Sequence, residues 1–308
     1  MTDTVVIIVS YNTRELTLRA LAAARKAAAG LDARVVVADN GSDGTPQAVR
    51  AADPEVTVLM NPDNPGYGAA VNRAVAAHRS AHVCAMNADV VLEPECLETL
   101  RRFLDANRAC GLVGPALAYP DGMPQASAKR FPTLGLALGE VAEIHSLAPR
   151  NRWVRRFYYE DRDLTRDALV DTVSGSVMLL RADAFDSVGR FDEGFRMYFE
   201  ETDLCRRLQN GGHTVALCPA AHATHLHGAS TRQTSVRQVE YYLSYVRYFR
   251  KHHRRGSAAI LRAAVAATAL ARMAALFVKY PPVDQKRAAS LREKEAACAR
   301  LLRSLVSA

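Results

Sequence analysis

The chain has 308 residues, 49% hydrophobic and 23% charged, the balance of an ordinary globular protein with a substantial core, and no long low-complexity tract. Its net charge of +8 points to an anionic partner: nucleic acid, nucleotide or an acidic membrane surface. The six cysteines (84, 96, 110, 205, 218 and 298) form no CxxC pair and no regular framework, so reduced thiols and a cytoplasmic setting are expected.

The opening "TVVIIVSYN" (4–12) reads as a buried strand, with neither the basic region nor the cleavage site of a secretory signal. An amphipathic helix (14–29), a strand "RVVVADNGS" (34–42), a short helix (45–53) and a strand "VTVLMN" (56–61) follow. Then come a helix (67–80), a strand entering a turn, "HVCAMNADVVL" (82–92), and a helix (94–107) opened by Pro94. Apolar strands alternating with helices predict βαβ units and a parallel sheet buried on both faces. From 115 to 135 the alternation breaks, with a hairpin expected near Pro120-Asp121-Gly122. Strand character returns at 170–182 and 213–219, a helix is expected over 181–187, and from 236 onward the chain reads as helical. These patterns divide it into an α/β domain, 1–255, and a helical tail, 256–308. In the tail, Arg262 and Arg272 interrupt the apolar run 258–280, so no spanning helix is expected, although one lying on a membrane fits.

In an open α/β sheet, ligands bind where loops leave the carboxyl ends of the strands. The first strand ends in Ser10-Tyr11-Asn12 instead of a G-x-G-x-x-G turn, the second in Asp39-Asn40-Gly41-Ser42, the fourth in Asn87-Ala88-Asp89. Each alone is ordinary turn chemistry; together they put Asn and Asp on one rim. Asp39 can accept hydrogen bonds from a base or ribose. Asp89 can bind a hard cation if substrate phosphates supply further oxygens. "NPDNPGYGAAVNRA" (61–74) sets glycines, Gly66 among them, before a helix whose amides can face an anion. "MYFEETDLCRRL" (197–208) crowds Glu200, Glu201 and Asp203 into a first helical turn. An ion pair to Arg206 or Arg207 and the helix dipole account for two acids; the third is a candidate general base. Cys218, His222, His225 and His227 are zinc-type ligands, but the preferred reading is one histidine reaching a cation already held by Asp89 and phosphates.

The segments "VSYN", "ADNGSDGT", "NPGYGAAVNRA", "MNADV", "VSGSVMLLRADAFDSVGRFDEGFRMYFEETDLCRRLQNGGHTV" and "HLHGAST", in this order, resemble inverting nucleotide-sugar glycosyltransferases of family 2, with the GT-A fold. The likeness spans roughly 5–250 and is nearest the bacterial rhamnosyltransferase branch that acts on lipid-linked acceptors. It implies a Rossmann-like, mostly parallel sheet flanked by helices, with a C-terminal helical extension. Asp39 falls on the position that contacts the nucleotide base, and Asp89 on the last acid of a D-x-D metal motif whose first position here is Asn87. Ser10, Tyr11, Asn12, Gly66, Asn72 and Asn87 complete the implied donor site. His225 matches the late metal ligand, with His227 as the fallback, for Mg2+ or Mn2+. Glu201 falls on the general base, usually Asp. Ser174, Gly175 and Ser176 would line the site floor, Glu200 would shape it, and Arg130 would contact phosphate.

The reaction so implied moves a sugar, L-rhamnose from dTDP-rhamnose as the leading choice, to a polyprenyl-diphosphate-linked glycan. Three other readings compete: a soluble natural-product acceptor, a sugar-nucleotide-binding subunit without turnover, and a nucleic-acid-binding protein without a recognisable binding motif. The basic run "RYFRKHHRR" (247–255) beside an Ala/Leu/Val helix predicts either peripheral contact with the inner face of the plasma membrane or a homodimer through the C-terminal helices.

Overall fold

The first strand, β1 (Thr2–Ser10), alternates its side chains between two buried layers, Val6 and Ile8 in one, Val5 and Ile7 in the other. That is why it reads as one continuous apolar run. The structure is a computed structural model that describes residues 2–144, 151–226, 234–279 and 295–305.

Along the chain follow α1 (Arg14–Ala27), β2 (Ala33–Asp39), α2 (Thr45–Ala52), β3 (Thr57–Met60), α3 (Tyr67–Ala77), β4 (Ser80–Asn87), β5 (Val90–Leu92), α4 (Cys96–Ala106) and β6 (Cys110–Ala118). After the short strands β7 (Pro124–Gln125) and β8 (Ala128–Lys129) come α5 (Leu134–Val141), α6 (Arg152–Phe157), β9 (Ala168–Leu169), β10 (Thr172–Val173), β11 (Val177–Arg181) and α7 (Ala182–Ser187). The chain continues through α8 (Glu200–Asn210), β12 (Thr214–His225), α9 (Thr234–His252) and α10 (Arg255–Lys279).

The main sheet runs in the order β3-β2-β1-β4-β11-β6-β12-β5. The βαβ half β3-β2-β1-β4 is parallel, β11 lies antiparallel between β4 and β6, and β5 is antiparallel to β12. On one face α1 and α4 bury Leu21, Ala24, Leu97, Leu100 and Leu104. On the other, α3, α7 and α8 bury Val71, Phe185, Leu204 and Leu208. The sheet is thus mixed: parallel, as expected, through β3-β2-β1-β4 and between β6 and β12, antiparallel where β11 and β5 enter, and covered by helices on both sides.

One departure bears on the site. The strand expected over 82–92 breaks at Ala88-Asp89: Ala88 N–H still reaches the Val9 carbonyl (3.2 Å), but beyond Asp89 the chain swings over to pair with β12. β12 in turn runs on to His225, with an irregularity between Cys218 and His222, instead of ending at 219. Hydrophobic pattern alone does not separate one long apolar strand from two that change partners. The hairpin is where Pro120-Asp121-Gly122 predicts it, with Gly122 at φ +83° donating to the Tyr119 carbonyl.

The chain packs as two compact units, one of 1–131, 156–196 and 200–230, the other of 132–155, 197–199 and 231–308. α9 therefore groups with the tail, along with α5. The second unit has an aromatic core in which the Phe199 ring stacks on Tyr245 (4.5 Å), beside Tyr241 and Tyr248. The stretch Arg255–Ala274 of α10 is long and apolar enough to cross a membrane by length and composition alone.

Candidate active site

The carboxyl ends of β1 and β2 build one edge of the site. Ser10 and Asp39 are both buried, and the Ser10 hydroxyl bonds the Asp39 carboxylate. Burial pushes the Asp39 carboxyl above its ordinary pKa and the charge of Asp43 adds to this, while the Ser10 bond acts against both. Its Oδ1 is buried with no hydrogen-bond partner, so it offers an acceptor to an N–H or O–H of a ligand. Asn12 holds a left-handed φ of 52° and accepts the Ser42 N–H through Oδ1 (2.8 Å). Gly41 is required beside it, because a Cβ there would stand 2.6 Å from both Asn12 N and Oδ1. Tyr11 is half exposed on the same rim.

The α3 motif fixes its surroundings. The Asn40 amide donates to the Gly66 carbonyl (3.2 Å), and Gly66, at φ +96°, leaves no room for a Cβ against the Arg196 carbonyl. Asn72 donates to the Phe191 carbonyl and to Glu193 (3.0 Å each) and accepts the Phe191 N–H (3.2 Å). It thereby fastens the segment that leads towards α8. Arg130 is likewise engaged inside the protein, bonding the Arg156 carbonyl and Asp161 and stacking over Tyr159.

The strand switch after Asp89 brings Asp89 and His225 together. His225 pairs with Val90 across β5 and β12, and its Nε2 lies 3.4 Å from Asp89 Oδ1. The other ring nitrogen, Nδ1, donates to Gln125 Oε1 at 2.8 Å, which turns Nε2 towards the carboxylate. A nitrogen lone pair facing a carboxylate oxygen is repulsive unless a proton or a cation stands with them. The donor set therefore fits a divalent cation held by one carboxylate and one imidazole, with further ligands supplied by a bound diphosphate. His227 lies outside the described residues.

α8 presents the acids. Tyr198 and Phe199 precede it with left-handed φ of 68° and 66°, conformations that non-glycine residues adopt only at a cost of roughly 1–2 kcal/mol each. Asp203, fully buried, is paired with Arg207 at 2.8 Å; Arg206 instead stacks over Phe131. Glu200 is buried, Oε2 has no hydrogen-bond partner, and burial followed by the charge of Glu201 pushes its carboxyl up to about 8. Glu201 is partly exposed and accepts from the Thr202 hydroxyl. Its side chain lies on Gly175: a Cβ there would stand 3.2 Å from Glu201 Cβ and 3.3 Å from Cγ. Ser174 and Ser176 flank that glycine with their hydroxyls 2.9 Å apart, and the Ser176 carbonyl accepts the Asn87 N–H. A short backbone path, Asp89 to Asn87 to Ser176 to Gly175, thus ties the Asp89 and Glu201 positions to one rim.

With that rim in view, residues 5–189 match the glycosyl transferase family 2 profile. The chain belongs to this family. The glycosyltransferase is 35% identical over 209 residues to an N-acetylglucosaminyl-diphospho-decaprenol L-rhamnosyltransferase of Mycobacterium tuberculosis, covering 64% of this chain and 67% of that one. A rhamnosyltransferase of Escherichia coli is 26% identical over 179 residues, 52% of this chain and 60% of its own. A mannosyltransferase of Pyrobaculum calidifontis, solved with GDP-Man and Mn2+, superposes with a TM-score of 0.58 at 17% identity, covering 98% of this chain and 86% of the other. The glycosyltransferase therefore has the GT-A fold.

Two residues of its site escape a reading of sequence alone. Gln125 sits in a two-residue strand paired with β6, and nothing in "MPQAS" announces that it orients a histidine 100 positions away. Tyr67 buries its hydroxyl without a hydrogen-bond partner, and its ionisation is opposed by burial and then by the charge of Glu200. Its place directly after Gly66 was the available signal.

Proposed function

We propose that this glycosyltransferase moves L-rhamnose from dTDP-L-rhamnose to a hydroxyl of N-acetylglucosamine carried on a polyprenyl diphosphate, with inversion at the anomeric carbon. The observation that carries the chemistry is Glu201, partly exposed and seated on Gly175, on a rim tied through Ser176 and Asn87 to Asp89. The likeness to the mycobacterial enzyme supports the choice of donor sugar and acceptor.

Glu201 takes the proton from the acceptor hydroxyl as its oxygen attacks the anomeric carbon opposite the leaving diphosphate. Glu200 is buried and its carboxyl is pushed up to about 8, so the role of base falls to its more accessible neighbour Glu201. Asp39 receives the nucleotide base through its buried acceptor, and the Ser174–Ser176 pair lines the floor. Asp89 and His225 would hold Mg2+ or Mn2+, whose charge offsets that of the departing diphosphate. Gln125 keeps His225 turned towards Asp89.

The test is transfer from dTDP-L-rhamnose to a short-chain polyprenyl-diphospho-N-acetylglucosamine with Mg2+ or Mn2+, followed by mass spectrometry and NMR of the new linkage. Glu201→Gln and Asp89→Ala should each lower turnover by about a thousandfold while circular dichroism is unchanged. Full activity in both variants, or retained anomeric configuration, overturns the mechanism. Turnover with another nucleotide sugar only overturns the donor assignment alone.

A further inference from the structure

α10 has two unlike long faces. One buries Ala258, Leu261, Val265 and Ala269 within the second unit. The opposite one exposes Ile260, Ala263, Ala267, Leu270, Ala271 and Ala274, with Ile260 51% and Leu270 56% accessible. At about 100° per residue these six fall within an arc of roughly 100° centred opposite the buried stripe. No charge interrupts the arc. Arg262 lies off it, and Arg272 is turned away to Glu143 and the Tyr242 ring. A water-facing helix face ordinarily carries polar residues, and a wholly apolar one marks a contact surface.

The surrounding charge selects the partner. Between Glu240 and Asp284 the chain has no acidic residue and eight Arg and Lys. Arg254 and Arg255 are exposed at the head of α10. A second copy would bring the same positive charge to the contact, whereas an anionic lipid surface brings its complement. The same unit also exposes Ile144, next to Glu143, and Trp153, whose ring is stacked by Arg152. Aromatic and cationic side chains together suit the headgroup zone of a bilayer.

We propose that the outer face of α10 lies in the plane of an anionic bilayer, Ile260 and Leu270 entering the acyl boundary while Arg254 and Arg255 meet lipid phosphates. Lying in the plane is favoured over spanning because Leu261, Val265 and Ala269 are already covered by protein, which leaves one face for lipid. The proposal rests on the reading of a lipid-carried acceptor, which would be met at the same surface.

The experiment is co-sedimentation of the full-length protein with phosphatidylcholine vesicles, with and without phosphatidylglycerol. Alongside the wild type stand Ile260→Asp, Leu270→Asp and the double variant Arg254→Glu/Arg255→Glu. The wild type should sediment with anionic vesicles only. Each Asp variant should partition roughly tenfold more weakly, and the Glu pair should lose the preference for anionic lipid. All variants should keep wild-type transfer to a water-soluble, short-chain acceptor. Binding unchanged by the Asp substitutions overturns the proposal. So does a dimer, seen by light scattering, that these substitutions dissolve while vesicles are not bound. Vesicle binding lost as expected in a protein that transfers nothing supports this face and counts against the proposed reaction; intact transfer without vesicle binding overturns the face alone.

Discussion

Replacing Glu200 by Gln removes a titration that burial forces on the folded protein. The carboxyl is buried, Oε2 finds no hydrogen-bond partner, and the pKa is raised from 4.5 to about 8, first by burial and then by the charge of Glu201. The sign follows from linkage. Below pH 4.5 both the folded and the unfolded chain hold the proton, and Glu200 costs nothing. Between 4.5 and about 8 the unfolded chain has released it while the folded chain keeps it, so stability falls as pH rises through that window. Above about 8 the loss is complete. Raising the carboxyl from 4.5 to about 8 sets, on the order of magnitude, an upper bound of about 5 kcal/mol. A neutral glutamine of the same shape has no such slope. Urea unfolding of wild type and Glu200→Gln at about pH 5 and about pH 9 checks this. The wild type should lose several kcal/mol relative to the variant on going from the lower to the higher pH. Parallel stability curves would refute the reasoning. The variant should also retain measurable transfer, in contrast to Glu201→Gln, because a glutamine at 200 keeps the shape of the site and leaves the Glu201 carboxylate in place.

Two further outcomes test how the site is held. Gly175→Ala places a methyl group against Glu201 Cβ and Cγ, so it should lower kcat by about tenfold to a hundredfold at nearly unchanged thermal stability, seen in steady-state kinetics beside a melting curve. Gln125→Leu frees the His225 ring, and the concentration of Mg2+ or Mn2+ needed for half-maximal transfer should rise by roughly ten- to a hundredfold, read from a metal titration of the rate.

The sheet was legible in the sequence because its strands are buried on both faces. Val5 to Ile8 and Val35 to Ala38 leave no polar position, and such runs between amphipathic helices have few other solutions. The ends of β1, β2 and β4 were legible as well, because polar residues begin where each apolar run stops. Less legible was whatever depends on contact between distant segments. The switch at Ala88-Asp89 is invisible in "MNADVVL" because both halves are apolar, and only the pairing with β12 separates them. The extent of the second unit was hidden likewise, since Pro132–Arg155 and Met197–Phe199 join it through packing that no local pattern records.

The acids of "FEETD" show how far local reasoning goes and what completes it. Periodicity assigns Asp203 to an arginine one turn on, and the structure selects Arg207 over Arg206 because Phe131 holds the latter. It cannot rank Glu200 against Glu201, which are adjacent, equally acidic and equally close to the helix start. The ranking comes from surroundings supplied by other segments: Tyr67 accompanies the buried Glu200, while Gly175 makes room beneath the more accessible Glu201. Two identical side chains one residue apart thereby meet unlike surroundings, Glu200 buried with its pKa pushed up and Glu201 partly open to solvent. A glycine at 175 is thus as much a condition for the proposed base as the glutamate itself.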